Sequence, residues 1–278
     1  MEFAVGRASQ KSPVKAYQAL EKQGQKWHIH GYITVIGCYL LMMFYTTVSG
    51  WMLHYFYLTA TGKFTGLDAD QVGGVFNEML SQPLVMAFWM IVVVAIGIFV
   101  CSRGLQNGLE KITKVMMIAL LAIMVVLAIN SIMMDGAAEG LKFYLIPDFE
   151  RMKELGIGYT IVTAMNQAFF TLSLGIGAMA IFGSYIGKER SLLGESANIA
   201  ILDTFVAIVS GLIIFPACFT FGVSPTSGPS LIFITLPNIF NHIPMGRLWG
   251  SLFFIFMTFA AFSTVCLLYT SPSPRDRS

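Results

Sequence analysis

The sequence has little charge and no cysteine pattern that suggests a metal site or a disulfide. Only 12% of its 278 residues are Asp, Glu, Lys or Arg, which is about half the share found in soluble domains. The net charge is +2, and no block of Lys and Arg is interleaved with aromatic residues, which argues against nucleic-acid binding. The cysteines lie singly in apolar runs, where they are typical small packing residues: Cys38, Cys101, Cys218 and Cys266.

Apolar runs make up the bulk of the chain. Hydrophobic residues account for 56% of the sequence, and the runs are about 20 residues long, the length that a helix needs to cross a bilayer. We therefore predict an all-α polytopic membrane protein embedded in a lipid bilayer. The predicted spans are 32–57, 83–102, 112–133, 160–186, 197–222 and 247–268.

The segments between these spans alternate in charge. Segment 6–29 holds five Lys or Arg against a single acid, Glu21, and the segments after 102 and after 186 are also basic. The acids concentrate in the other loops. Because basic loops favour the cytoplasmic side of the membrane, we predict that the start of this chain is cytoplasmic.

Segment 223–246 is apolar but rich in helix-breaking residues: Pro225, Gly228, Pro229, Pro237 and Pro244. Proline at this density rules out a continuous helix. The charge alternation places the segment on the extracellular side. We predict a re-entrant or lid-like loop of two short helices, shielded by protein or facing a water-filled cavity.

The middle of the 160–186 span is the first candidate site. It contains Thr171, Ser173, Gly175 and Gly177, and glycine weakens a helix by about 1 kcal/mol relative to alanine. An unwound turn there would free carbonyl oxygens and expose the partial charges of two half-helix ends, which transporters use to bind an ion and a charged substrate. The alternative is that these small residues only allow two helices to pack closely.

Asp203 is the only acid inside a predicted span. A carboxylate in hydrocarbon is costly, so it should face a cavity, a cation or a proton path. Two alternatives stay open: a protonated carboxyl hydrogen-bonded between packed helices, and an interfacial position if the span begins later. A weaker signal lies in the last span, where Ala260, Ser263 and Thr264 could supply the oxygen ligands that a hard cation prefers, although Ser and Thr also bond to their own helix.

Several motifs in these spans resemble the neurotransmitter:sodium symporter family, in particular its bacterial amino-acid transporters. They are Phe169-Phe-Thr-Leu-Ser-Leu-Gly-Ile-Gly177, Phe182-Gly-Ser-Tyr185, Phe233-Ile-Thr-Leu-Pro237 and Gly140-Leu-Lys-Phe-Tyr-Leu-Ile-Pro-Asp-Phe149. The resemblance implies the twelve-helix inverted-repeat fold of the LeuT type. This chain would cover the end of helix 2 through helix 8, with 160–186 as the discontinuous helix 6.

The resemblance also implies the activity. A full-length member would be a sodium-coupled amino-acid symporter that works by alternating access in the inner membrane of a bacterial cell. It would bind two sodium ions and no organic cofactor. The resemblance does not indicate an oligomeric state. Chloride-dependent relatives have a neutral asparagine at the position of Asp203 and a serine one turn later, where this chain has Ala207. Because a fixed carboxylate can supply the negative charge that chloride brings, we predict chloride-independent transport.

The site residues that the resemblance implies fall into three groups. The amino acid would be bound by Leu41, Tyr45, Phe170, Thr171, Ser173 and Ile176. The Tyr45 hydroxyl would bind its carboxylate, and the backbone around Phe170, Thr171 and Ser173 would bind its ammonium group. Phe170 would form an aromatic lid, and Leu41 and Ile176 would line an apolar pocket for its side chain. The first sodium site would use Thr171 and Asp203, and the second Ala260, Ser263 and Thr264. Phe170 and Tyr185 would be gates. The apolar lining favours a hydrophobic or aromatic amino acid.

The two ends of the chain carry a further expectation. By resemblance, residues 1–265 form part of a transporter domain that lacks helix 1, so the chain alone would not transport. The stretch from Cys266 to Asp276 is similar to the translated read of a sequencing adapter, so we interpret 266–278 as an artefact.

Other functions are less consistent with the sequence. A proton-coupled amino-acid permease of the same fold, with Asp203 as the proton carrier, is the nearest alternative. An intramembrane enzyme would need a second acid or a histidine beside Asp203, and the histidines instead lie in or near the loops: His28, His30, His54 and His242. A purely structural membrane subunit would not need a broken helix beside an acid.

Overall fold

The structure is a computed structural model that describes residues 1–102, 106–187, 189–225, 228 and 231–270. Regular structure in these residues is helical. The α-helices are α1 (Glu2–Ser9), α2 (Pro13–Leu20), α3 (His28–Thr61), α4 (Ala69–Ser81), α5 (Pro83–Ser102), α6 (Gln106–Ile132), α7 (Ala137–Leu145), α8 (Phe149–Leu155), α9 (Ile157–Thr171), α10 (Ala178–Tyr185), α11 (Leu192–Phe221), α12 (Leu236–His242) and α13 (Gly246–Thr270), and a π-helical turn covers Leu231–Thr235. The all-α prediction is confirmed. Residues 271–278 of the suspected adapter tail lie outside the described residues.

Each predicted span lies on helix in the structure, but not every span is one long helix. Among the described residues, three helical stretches are long and apolar enough to cross a bilayer alone: α3, Lys114–Ile132 within α6, and α11. Helix α5 forms a fourth candidate together with α4, from which it is bent by 81°. The predicted span 160–186 is divided into α9 and α10, and α13 contains the shorter apolar stretch Gly246–Phe262.

The chain divides into two units, and the first contains Met1–Phe44, Asp148–Phe205 and the described residues from Thr264. Within it, α1 packs directly on α10. A Cβ added to Gly6 would overlap the backbone of Ala180, and one added to Gly183 would overlap the backbone of Phe3. Two glycines therefore bring these helices into backbone contact, as small residues do in membranes.

Glu21, seven residues before the first residue of α3, caps the N-terminus of this helix. The Glu21 carboxylate accepts a hydrogen bond of 3.0 Å from the His28 backbone N–H and contacts the His28 imidazole at 2.9 Å. Desolvation alone would raise the pKa of Glu21, but the hydrogen bonds from His28 and Trp27 and the charge of His28 together lower it. The carboxylate thus satisfies one of the donors left free at a helix N-terminus.

The second unit contains Tyr45–Pro147 and Val206–Ser263 and is built around an aromatic core. Phe233, in the π-helical turn, is 1% exposed and lies between the rings of Trp51, Tyr55 and Phe76, at centroid distances of 5.8, 4.8 and 5.6 Å. The predicted proline-rich segment therefore contains a π-helical turn followed directly by α12, and both are held in this core.

Candidate functional site

The 160–186 span is interrupted at its middle, as predicted. Helix α9 ends at Thr171, and α10 begins at Ala178. Between them the chain tightens: the N–H groups of Ser173 and Leu174 donate to the carbonyls of Phe170 and Phe169 at 3.1 and 2.9 Å. The regular helical hydrogen-bond ladder is therefore interrupted here, as it is in the broken helices with which transporters bind ions and polar ligands.

Positive φ angles hold this break open. Ser173, Gly175 and Gly177 have φ angles of 53°, 86° and 75°, a region that side chains other than glycine rarely adopt. At Gly177 space is also limited, because an added Cβ would lie 2.7 Å from Thr34 Cγ2 and 2.9 Å from Pro13 Cγ. Glycine is therefore required at 177 for both conformation and packing. Close packing of two helices alone would not require the positive φ angle.

Asp203 lies beside the break. The Thr171 hydroxyl, at the last residue of α9, donates to both carboxylate oxygens of Asp203, at 3.0 Å from Oδ1 and 3.1 Å from Oδ2. Asp203 lies in α11 and is half-buried. The two residues that the resemblance assigned to the first sodium site are thus in direct contact.

The chemistry of these donors fits a hard cation such as sodium. A hydroxyl, a carboxylate and the nearby carbonyls of the break are hard oxygen ligands, which a hard cation prefers. In the part of the chain that the structure describes, no group of three His, Cys, Asp or Glu residues could hold a metal ion. Hydroxyl and carboxylate oxygens of this kind suit an alkali cation better than a soft transition metal.

The sequence analysis missed Glu2 as a residue of this site. Its Oε1 accepts a hydrogen bond of 2.6 Å from the backbone N–H of Gly175, in the middle of the break. Its Oε2 is buried and has no hydrogen-bond partner among the described residues.

An apolar groove of about 430 Å³ runs between α3 and the broken helix. The predicted substrate residues Leu41, Phe170, Ser173 and Ile176 line it together, and Phe170 is 57% exposed. The remaining lining residues were not predicted: Gly37, Leu40, Phe44, Phe169 and Leu174. Apart from Ser173 the lining is apolar, which is the environment expected around a hydrophobic side chain.

The described residues that line this groove do not include Tyr45, Ala260, Ser263 or Thr264. Tyr45, Ala260 and Ser263 belong to the second unit, and the Ser263 side chain is outside the described residues. Thr264 lies in α13. The second sodium site and the role of Tyr45 therefore stay predictions.

Tyr185, the predicted cytoplasmic gate, ends α10 and is 67% exposed. It lines a separate cavity of about 680 Å³ with Arg190 and Glu195, which form an ion pair at 2.9 Å. Arg7 donates to the Arg190 carbonyl at 2.8 Å. Charged groups thus surround the gate position at this end of the first unit.

The chain is similar to several known proteins. A model of the sodium:neurotransmitter symporter family matches residues 71–271. The uncharacterized sodium-dependent transporter YhdH of Bacillus subtilis is 35% identical over 263 residues, which cover 95% of this chain. The sodium- and chloride-dependent creatine transporter 1 of Homo sapiens is 26% identical over 195 residues, covering 67% of this chain and 29% of that protein.

A solved structure is similar over almost the whole chain. The crystal structure of MhsT in complex with L-phenylalanine aligns with 98% of this chain at a TM-score of 0.89 and 37% sequence identity. The chain spans 60% of the MhsT chain and 57% of the Bacillus protein.

Proposed function

This chain belongs to the sodium:neurotransmitter symporter family, and from that premise we propose that the whole protein is a sodium-coupled amino-acid symporter, a multi-pass protein of the bacterial inner membrane. Its relatives are named as transporters and not as enzymes. The observation that carries the proposal is the contact of Thr171 with Asp203 directly beside a helix broken by three positive φ angles.

Electrostatics explains how sodium and substrate would be coupled at this break. A sodium ion bound by Thr171 and Asp203 would lie where the carboxylate of a zwitterionic amino acid can approach it, and attraction between charges is several-fold stronger in a water-poor site than in bulk water. Each ligand would raise the affinity for the other by the same factor, as thermodynamic linkage requires. The sodium gradient then drives uptake of the amino acid.

The groove supports a hydrophobic or aromatic amino acid as the substrate. Leu41, Phe170 and Ile176 form apolar walls beside Ser173, so a charged side chain would lose its hydration without finding a partner. The compound bound to MhsT, which is 37% identical to this chain, is L-phenylalanine. We therefore assign the side chain of the substrate to this groove, with Phe170 above it and the backbone around Thr171 and Ser173 receiving its ammonium group.

The remaining assignments complete this proposal. Tyr45 would donate to the substrate carboxylate, Tyr185 would form the cytoplasmic gate, and 223–246 the extracellular lid. Ala260, Ser263 and Thr264 would bind a second sodium ion. Residues 1–265 would be one part of a longer transporter domain. This fits the fact that the described residues of α9 include no buried side chain, since further helices of the whole protein would cover that apolar surface.

Transport by the full-length parent protein in proteoliposomes tests the proposal. We expect uptake of a large apolar amino acid that requires an inward sodium gradient and continues when gluconate replaces chloride, because Asp203 supplies the fixed negative charge. Competition with the twenty amino acids identifies the substrate. Uptake that needs chloride contradicts the role of Asp203 as its substitute, and uptake that follows a proton gradient without sodium contradicts sodium coupling.

A further inference from the structure

Gly37 is a glycine that neither the backbone nor the packing of the described chain requires. It lies in the interior of α3, where the backbone is helical and alanine is the more favourable residue. A Cβ added at Gly37 would meet only Ile176 Cγ2, at 3.7 Å, an ordinary van der Waals distance. The helix would accept alanine at this position without strain.

Other glycines of α3 have an evident packing role. A Cβ on Gly31 would lie 2.8 Å from Val14 Cα, and one on Gly50 would lie 2.8 Å from the backbone nitrogen of Met90. In both cases backbone atoms, which cannot move aside as a side chain can, occupy the space. Gly37 differs because the space beside it belongs to the apolar groove.

Gly37 also lies at the closed end of that groove. One turn earlier on α3, Thr34 is so close to Gly177 that no Cβ fits between them, so α3 and the broken helix meet there. Towards Leu41 and Phe44, one and two turns after Gly37, the two walls are separated by the groove. A methyl group at residue 37 would therefore reduce the depth of the groove and leave its mouth unchanged.

We propose that Gly37 is a specificity-determining residue, whose missing side chain leaves the closed end of the groove free for the tip of a large, aromatic amino-acid side chain. This inference rests on the proposed function and adds a residue and a size limit to it. Small substrates such as alanine do not reach this end, so they should be insensitive to what stands at residue 37.

The test compares uptake efficiency, kcat/KM, for alanine, leucine, phenylalanine and tryptophan by the full-length parent protein and its Gly37→Ala variant. One additional methyl group in an apolar pocket changes discrimination about tenfold or more. We expect that loss for phenylalanine and tryptophan, and a change of less than about twofold for alanine. Gly74→Ala is the matched control, because a Cβ on this exposed helical glycine meets nothing within 4 Å, and it should leave all four efficiencies unchanged.

A second variant shortens a side chain on the opposite wall of the groove. Ile176→Ala should raise the efficiency for tryptophan relative to alanine, and combined with Gly37→Ala it should restore much of the lost tryptophan uptake. If Gly37→Ala lowers uptake of all four substrates equally, or of none, the inference is wrong. If that variant does not reach the membrane, Ile176→Ala alone decides, and an unchanged tryptophan-to-alanine ratio overturns the inference. Absence of sodium-driven amino-acid uptake by the unmodified protein would instead overturn the proposed function.

Discussion

At the scale of single residues, the chemistry of the broken helix depends on a few polar groups with direct partners. Thr171 donates to Asp203, and Gly175 donates to Glu2 at 2.6 Å. The two carboxylates therefore lie on the break from two different helices, α11 and α1. One contacts the end of α9, and the other binds the backbone of the connecting segment, so both hold the break in shape while contributing negative charge.

Glu2 provides a test of this positioning role. Replacing Glu2 with alanine removes the acceptor of the Gly175 N–H, and the loss of such a hydrogen bond costs about 1 kcal/mol. Glu2→Gln keeps a carbonyl acceptor and should retain most of the stability. The free energy of unfolding of the purified parent protein measures both, with Glu154→Ala on an exposed turn of α8 as the control. Equal stability of Glu2→Ala and the control would show that the hydrogen bond does not hold the break.

The residues of the site differ in how far the sequence predicts them. Gly175 and Gly177 predict a break because two glycines in one apolar span weaken its helix, and Asp203 stands out as a lone intramembrane acid. The pairing of Asp203 with Thr171 follows only from the family resemblance, since 32 residues separate them. Glu2 was missed because its partner is a backbone N–H, a contact that leaves no pattern of residue types.

At the scale of helices, the segments that were predicted as loops proved to be structured. Helix α4 lies between the first two predicted spans, in a segment that we interpreted as an acidic loop and that contains Asp68, Asp70 and Glu78. Asp68 instead begins the helix with a capping box, accepting from the Gln71 N–H at 2.8 Å while the Gln71 side chain accepts from the Asp68 N–H at 3.1 Å. Asp68 and Asp70 thus mark the start of an amphipathic helix that buries Val72, Phe76 and Met79.

The burial of the proline-rich segment 223–246 could likewise not be predicted from the sequence. Its prolines predict an interrupted helix, but they do not reveal that the segment enters an aromatic core. Phe233 is buried among rings contributed by residues distant in sequence, such as Tyr55 and Phe254, with centroids 4.8 and 6.5 Å away. Only tertiary packing determines such burial, and the segment is consequently an anchored part of its unit.

Removing the Phe233 ring tests this anchoring. Phe233→Ala should lower the free energy of unfolding of the parent protein by about 3 kcal/mol, because it deletes a fully buried aromatic side chain and leaves a cavity. Phe149→Ala, at a position that is 61% exposed, should change it by less than about 0.5 kcal/mol. Thermal unfolding in detergent compares the two variants. A similar, small shift for both would mean that the segment is not held by this core.

At the scale of the whole molecule, the chain shares its fold with the sodium:neurotransmitter symporter family to which it belongs. The alignment with MhsT covers 98% of this chain and 60% of the MhsT chain. Phe169 and Phe170 of α9 line its groove, and the described residues of α9 include no buried side chain. We propose that this part of the protein forms one wall of a transport site, with a broken helix, a carboxylate for sodium and an apolar groove for the substrate.

The most direct test of this account is the apparent sodium affinity of the full-length parent protein, measured by titrating sodium against binding of the radiolabelled amino acid. We expect Asp203→Asn to weaken it about tenfold, equivalent to about 1.4 kcal/mol, because the Thr171–Asp203 pair loses its negative charge. Asp70→Asn, which neutralises an exposed acid in the first turn of α4, should leave it unchanged. An apparent sodium affinity that is the same in Asp203→Asn as in the unmodified protein would contradict the central claim that this carboxylate binds sodium beside the broken helix.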